Sequence, residues 1–316
     1  MLRHIEYLVI ALFLGLVGCH HTPSSTTSFT LLQKTTTQTR QAAPFNQVVV
    51  KGGRINVNLH TGYTRPKVIL HGELSDVQQV VTKVKNNTLF VIEGEKHPYY
   101  GPLTVDIRTR NLDSFTYNGV GTITGPLLNT RHLNLSITNS GNTYLAGHIG
   151  LSRLAVYGSG DVRLSGVSGH NIQVIMGGRP HVQLVGIFNV DNLNLYGDGF
   201  LSGYWVKNDR LVIKEHGNVH LQLAGTANSM EVELWNHADF NGRYLRASRA
   251  FVKTHDQSVA KLSAIRRQHT LASDASDIYF YNLPEMRTDF MAYDGAVLDM
   301  RDWNLLCEQE YTIYNK

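Results

Sequence analysis

The residues with the most chemistry in them are histidines. Aligned on a recurring turn, the position just before the turn glycine reads Asn118, Ser140, Ser159, Gly177, Asp198, His216, His237, His255, Asp274 and Asp294. Imidazoles on consecutive repeats, flanked by aspartates, form a metal-ligand pattern if the repeats stack. At a strand spacing of about 4.8 Å, two adjacent rings can share one zinc through bonds of about 2.0–2.1 Å. All three cannot, because the outer pair would lie roughly 9.6 Å apart. A row of tight corners selects the same residue types, since Asn, Asp, Ser and Gly hold left-handed turns and His visits that region more than most. The corner reading is preferred, so no cofactor is assigned, and His216, His237 and His255 stand as candidate ligands only. Stacked imidazoles would also repel when protonated, which predicts a lower melting temperature at about pH 5 than at about pH 7.5.

A second candidate is a basic band, Arg243, Arg246, Arg249, Arg266 and Arg267, continued by Arg287. Guanidinium forks suit carboxylates and phosphates, so the band points to an acidic glycan or lipopolysaccharide if it shares one face. The plainer account is a charged face that keeps the protein soluble. Acid–base catalysis on polysaccharides would need carboxylates clustered on neighbouring strands. Here Asp161, Asp198, Asp274 and Asp294 fall at turns instead. Gly119-Val120-Gly121 with Gly125 is no phosphate loop, because no helix follows to present its N-terminus. Tyr157-Gly158-Ser159-Gly160-Asp161 lacks the strand-to-helix turn of a nucleophile elbow.

The elements that would position these residues are short strands. Val48-Val49-Val50, Ile55 to Leu59, Lys67 to Leu70 and Leu89 to Ile92 alternate with period two, and Gly52-Gly53, Gly62 and Asn86-Asn87 separate them as turns. Past about residue 112 the chain repeats at roughly 18–22 residues, inside the range of stacked coils. A strand precedes each turn, as in Leu154-Ala155-Val156, and another follows it, as in Val162-Arg163-Leu164. A second small-residue corner recurs at Gly125, Gly147, Gly166, Gly186, Gly203, Gly225 and Gly242. No helical period is long enough for a crossover. The prediction is an all-β, single-stranded parallel β-helix of about ten short rungs with an N-terminal β region.

Composition agrees, with 28 glycines and only 17% charged residues in 316. The net charge of +4 favours anionic surfaces, but without a dense Lys/Arg run nucleic acid is not a predicted partner. Arg3 followed by the apolar run Tyr7 to Leu16, ending in Leu16-Val17-Gly18-Cys19, looks like a bacterial lipoprotein signal. That likeness implies cleavage before Cys19, covalent lipid on Cys19 (the palmitate-type acylation of a lipoprotein), and outer-membrane rather than inner-membrane sorting, since His20 follows the cysteine. The other cysteine, Cys307, is then left without a partner. The expected organisation is a signal peptide over 1–18, a lipidated N-terminus and flexible Ser/Thr-rich tether over 19–44, an N-terminal β region over 45–111, β-helix repeats over 112–302 and a C-terminal cap over 303–316.

Phe45-Asn46-Gln47-Val48-Val49-Val50-Lys51-Gly52, Asn87-Thr88-Leu89-Phe90-Val91 and Tyr157-Gly158-Ser159-Gly160-Asp161 together resemble the head GIN domain family, adhesin-type β-helix proteins of bacteria. The likeness spans about residues 45–300. It implies a surface or periplasmic location and supplies no catalytic residues. The last rungs depart from it, with Ala238, Asp256 and Ala275 in the glycine column. The expected function is therefore a lipid-anchored envelope protein whose β-helix binds glycan, lipopolysaccharide or an envelope protein, or serves a structural role, without catalysis. The alternative is a polysaccharide lyase or glycosidase on the same scaffold.

Overall fold

The computed structural model describes residues 35–94, 101–281 and 287–300, and these fall in one compact unit. Cys19, Cys307, the signal segment and the expected cap lie outside the described residues.

Alternation of apolar and polar side chains generates the strands. The first are β1 (Thr35–Gln41), β2 (Gln47–Lys51), β3 (Ile55–His60) and β4 (Lys67–Glu73), then the short helix α1 (Leu74–Gln79). After it come β5 (Val81–Lys85), β6 (Thr88–Ile92), β7 (Leu103–Arg108) and β8 (Ser114–Gly119). Longer strands that bend through corners follow: β9 (Ile123–Asn139), β10 (Thr143–Gly158), β11 (Asp161–Gly178), β12 (His181–Gly197), β13 (Phe200–Gly217), β14 (His220–Asn236), β15 (Asp239–Thr254) and β16 (Val259–Ser273). The described part closes with β17 (Asp277–Phe280), β18 (Arg287–Tyr293) and β19 (Ala296–Asp299).

From β8 to β17 each strand pairs in parallel with the next, and β18 and β19 pair in parallel with β16 and β17, giving a β-solenoid of about nine turns. The core is a set of interior columns. One runs from Leu89 through Val48, Phe115, Leu135, Leu154, Val174, Leu193, Ile213 and Val232 to Val252 and Thr270, each in register with its neighbour. Burying each large apolar side chain in such a column contributes about 1.5–3 kcal/mol. Tyr117 is a large polar exception near the start. Its hydroxyl donates to the Ile55 carbonyl at 2.8 Å and accepts from the Gly121 N–H at 2.8 Å, so burial leaves it satisfied.

The N-terminal region departs from the sequence expectation in two ways. Residues 45–111 are not a separate β region preceding the solenoid. β2 pairs in parallel with both β6 and β8, and β3 with both β7 and β9, so the chain lays down a middle rung first and returns on either side of it. Nor is the whole of 19–44 a tether. β1 pairs antiparallel with β4 over seven residue pairs, β4 pairs antiparallel with β7, and β5 with β6. These antiparallel strands end the parallel stack where it would otherwise expose an open edge. The Arg40 guanidinium fastens β1, donating to the carbonyls of Val80 and Val77 and to the Thr82 hydroxyl. Asn86 and Asn87, at φ 50° and 61°, make the β5–β6 hairpin turn that requires two left-handed residues.

Candidate functional site

The corners decide which side chains stand in line. At the first corner the left-handed position is held by Gly158, Gly178, Gly197 and Gly217, then by Asn236, Asp256, Asp274 and Asp294. The residue before it therefore runs Tyr157, Gly177, Tyr196, His216, Trp235, His255, Ser273 and Tyr293. Register pairs Tyr157 with Gly177, Tyr196 with His216, His216 with Trp235 and Ser273 with Tyr293.

The expected histidine column is thus corrected. His216 and His255 belong to one column, but Trp235 stands between them, and His237 falls one residue past the left-handed position. The His216 and Trp235 rings stack at 4.1 Å and 10°, and the Trp235 and His255 rings at 5.7 Å and 15°. His216 and His255 lie two rungs apart, beyond the reach of one zinc. His255 Nδ1 instead meets the Ser273 hydroxyl at 2.8 Å. Among the described residues no group of three or more His, Cys, Asp or Glu is placed to hold a metal ion.

What the column forms is an aromatic edge. Tyr157 and Tyr196 are exposed, and both rings lean over the bare Cα of Gly177, where an added Cβ would come within 3.0 Å of Tyr157 and 3.4 Å of Tyr196. Beside it on the same face, Lys214 pairs with Glu233 at 3.8 Å, and Phe251 stacks on His269 at 5.0 Å.

The basic band is divided. Arg249 and Arg267 are register partners, and Arg267 aligns in turn with Arg287. Arg266 is exposed beside them. Arg246 aligns with Ser263 in another column, and Arg243 lies over the Tyr281 ring at 4.8 Å. Arg267 also approaches Asp289 at 3.8 Å, so part of the band is already neutralised. The turn carboxylates serve neighbouring rungs: Asp161 faces His181 at 3.6 Å, Asp198 faces Arg179 at 3.1 Å, and Asp274 accepts from the Asp256 N–H at 3.3 Å.

Two residues escaped the sequence reading. Glu215 is fully buried in an inward column between Leu195 and Leu234, and neither carboxyl oxygen meets a hydrogen-bond partner among the described residues. Burial, with Asp239 adding repulsion, pushes its carboxyl well above the usual carboxylate range. The alternation Leu211, Ile213, Glu215 carried that signal. The other is Trp205. At the second corner the residues with positive φ on five successive rungs are Gly147, Gly166, Gly186, Trp205 and Gly225. At Gly166 nothing larger fits, because an added Cβ would lie 1.8 Å from the Gly147 carbonyl. Trp205 takes the position at φ 60° with its side chain 55% exposed, following Ile187, 72% exposed, on the preceding rung. A bulky side chain held left-handed is a strained outlier.

Residues 44–184 match the family model described as putative auto-transporter adhesin, head GIN domain. Similar solved structures include a putative adhesin from Parabacteroides distasonis, 15% identical over 84% of this chain and 97% of that one, with a TM-score of 0.47. A putative adhesin from Parabacteroides merdae is 14% identical over 84% and 96%, with a TM-score of 0.41. A protein from Parabacteroides distasonis described as a putative lipid binding protein is 14% identical over 84% and 96%, with a TM-score of 0.43. No curated protein matches the chain in sequence.

Proposed function

From a chain whose residues 44–184 match the head GIN domain family of adhesins, we propose a lipid-anchored protein of the cell envelope, with an outer-membrane location, whose β-solenoid is a non-enzymatic binding module. The observation that carries this reading is the edge formed by Tyr157, Tyr196, His216, Trp235, His255 and Tyr293, fixed in register on one long face. Aromatic rings held by the backbone present contact area at low entropic cost, which suits recognition rather than turnover. The turn carboxylates that an enzyme would have to gather are spread along the stack and engaged across rungs. The anchor rests on Cys19 and its flanking sequence.

The test is an array of glycans and lipopolysaccharides probed with the chain from residue 34, which keeps β1, with turnover assays on acidic polysaccharides run alongside. Saturable binding without product supports the reading, and product release from any polysaccharide overturns it. In cells, Cys19→Ala is expected to move the protein out of the membrane fraction. Retention there would overturn the anchor.

A further inference from the structure

A cavity of about 750 Å³ opens where the N-terminal strands meet the solenoid, within the usual range for small-molecule sites. Three segments distant in the chain build it: the loop after β3, the β7–β8 connection, and the bend of β9. Backbone bonds fix them to one another. Gly62 N–H donates to the Arg110 carbonyl at 3.0 Å, Asn129 N–H to the Thr61 hydroxyl at 2.8 Å, and Asn134 N–H to the Asp113 carbonyl at 2.9 Å. The walls are therefore set before any ligand arrives.

The lining is chemically one-sided. Arg110, Arg131 and His132 supply cationic or donor groups, Asn111 and Asn129 supply amides, and Asp113 supplies the one carboxylate, which accepts from the Asn46 amide. Neither guanidinium meets a carboxylate within ion-pair distance among the described residues. Thr130, only 7% exposed, closes the wall behind them, with its hydroxyl out of reach of solvent and of the cavity.

The geometry points to a binding site for an anionic saccharide unit, a sugar bearing a carboxylate or a phosphate. Two guanidinium forks recognise the anion, and Asn111, Asn129 and Asp113 take the hydroxyls. A neutral sugar would leave the forks unused, and a bare apolar ligand would leave every polar wall group unmet.

The inference rests on the binding reading above and gives it one site and one ligand class. The experiment is calorimetric titration of the full chain with oligogalacturonate, glucose 6-phosphate and glucose. Binding of either anionic sugar at least tenfold tighter than glucose is expected. Arg110→Ala and Arg131→Ala should each weaken it about tenfold. Equal affinity for glucose, no binding of either anionic sugar, or unchanged affinity in both arginine variants overturns the site. Array binding that survives the arginine variants removes this site and leaves the adhesin reading standing. Binding of these sugars with a silent array does the reverse.

Discussion

Replacing Glu215 should reveal a pH dependence that the wild-type protein hides in its interior. Its neighbours in the column are Leu195 and Leu234, and both oxygens lack partners, so Glu215→Leu continues an apolar column with a side chain of similar volume. Removing an unsatisfied buried polar group is worth about 1–3 kcal/mol when the carboxyl is neutral in both states. The gain then grows with pH. The folded carboxyl titrates well above the unfolded value near 4.5. Between those two values the folded chain holds a proton that the unfolded chain has released. Raising the pH therefore favours unfolding of the wild type, by about 1.4 kcal/mol per pH unit. Glu215→Gln keeps a polar group but cannot titrate, so it should share the slope of the leucine variant and not its full offset. Melting temperatures of the three proteins at about pH 5, 6 and 7 give the readout. The gap between wild type and leucine variant should widen from about pH 5 upward, by about 3–6 °C per pH unit until the folded carboxyl itself ionises. Parallel profiles would refute the reasoning, since they would mean that Glu215 is solvated or paired. The direction opposes the weakening at about pH 5 that three stacked imidazoles would cause, and Trp235 between His216 and His255 removes most of that repulsion.

At the second corner, Trp205→Gly should be more stable than Trp205→Ala by about 1 kcal/mol in chemical denaturation, because alanine keeps the left-handed strain that glycine lacks. Equal stabilities would show that the backbone relaxes there. A chain beginning at residue 44 should unfold at least about 2 kcal/mol sooner than one beginning at residue 34, because it loses β1 and the Arg40 bonds and leaves β4 an open edge. Matching melting curves would return β1 to the status of a tether.

The strands and the parallel stack were readable because their causes are local. Val48 and Val50, or Leu193 and Leu195, alternate with polar residues, and glycines mark the bends. Register was not readable, and it decides every column. The turn Gly158-Ser159-Gly160 contains two glycines, and only Gly158 is left-handed, while Asn236 and Asp274 do the same work without glycine. A slip of one or two residues moves a side chain into another column, which is how His237 was drawn into line with His216. The Thr-rich β1 looks like a spacer until its partner β4, some thirty residues on, is known. The Arg110 and Arg131 cavity depends on three separate segments meeting, which no single window of sequence displays.

The solenoid should also be least stable toward its last rungs, and the interior columns give the reason. Along β12 the inward residues are Val182, Leu184, Phe188, Val190, Leu193 and Leu195. Along β16 the buried residues are Ala260, Leu262, Ser263, Ala264, Gln268, Thr270 and Ala272. Each methylene lost from such a column removes about 0.8 kcal/mol of burial, so the later rung forgoes on the order of several kcal/mol. Hydroxyls supply part of the replacement: Thr254 meets Ser276 at 2.8 Å, and Ser276 donates to the Ser273 carbonyl at 2.7 Å. Such bonds contribute only about 0.5–1.5 kcal/mol each, and the Thr270 hydroxyl meets no partner among the described residues. In a stack whose stability is close to a sum of rung and neighbour terms, opening then begins where the interior is poorest and travels toward β12. Hydrogen exchange resolved by strand should show β16 amides exchanging at least tenfold faster than those of β12. Equal protection along the stack would mean that the rungs open together and that interior composition does not govern where they give way.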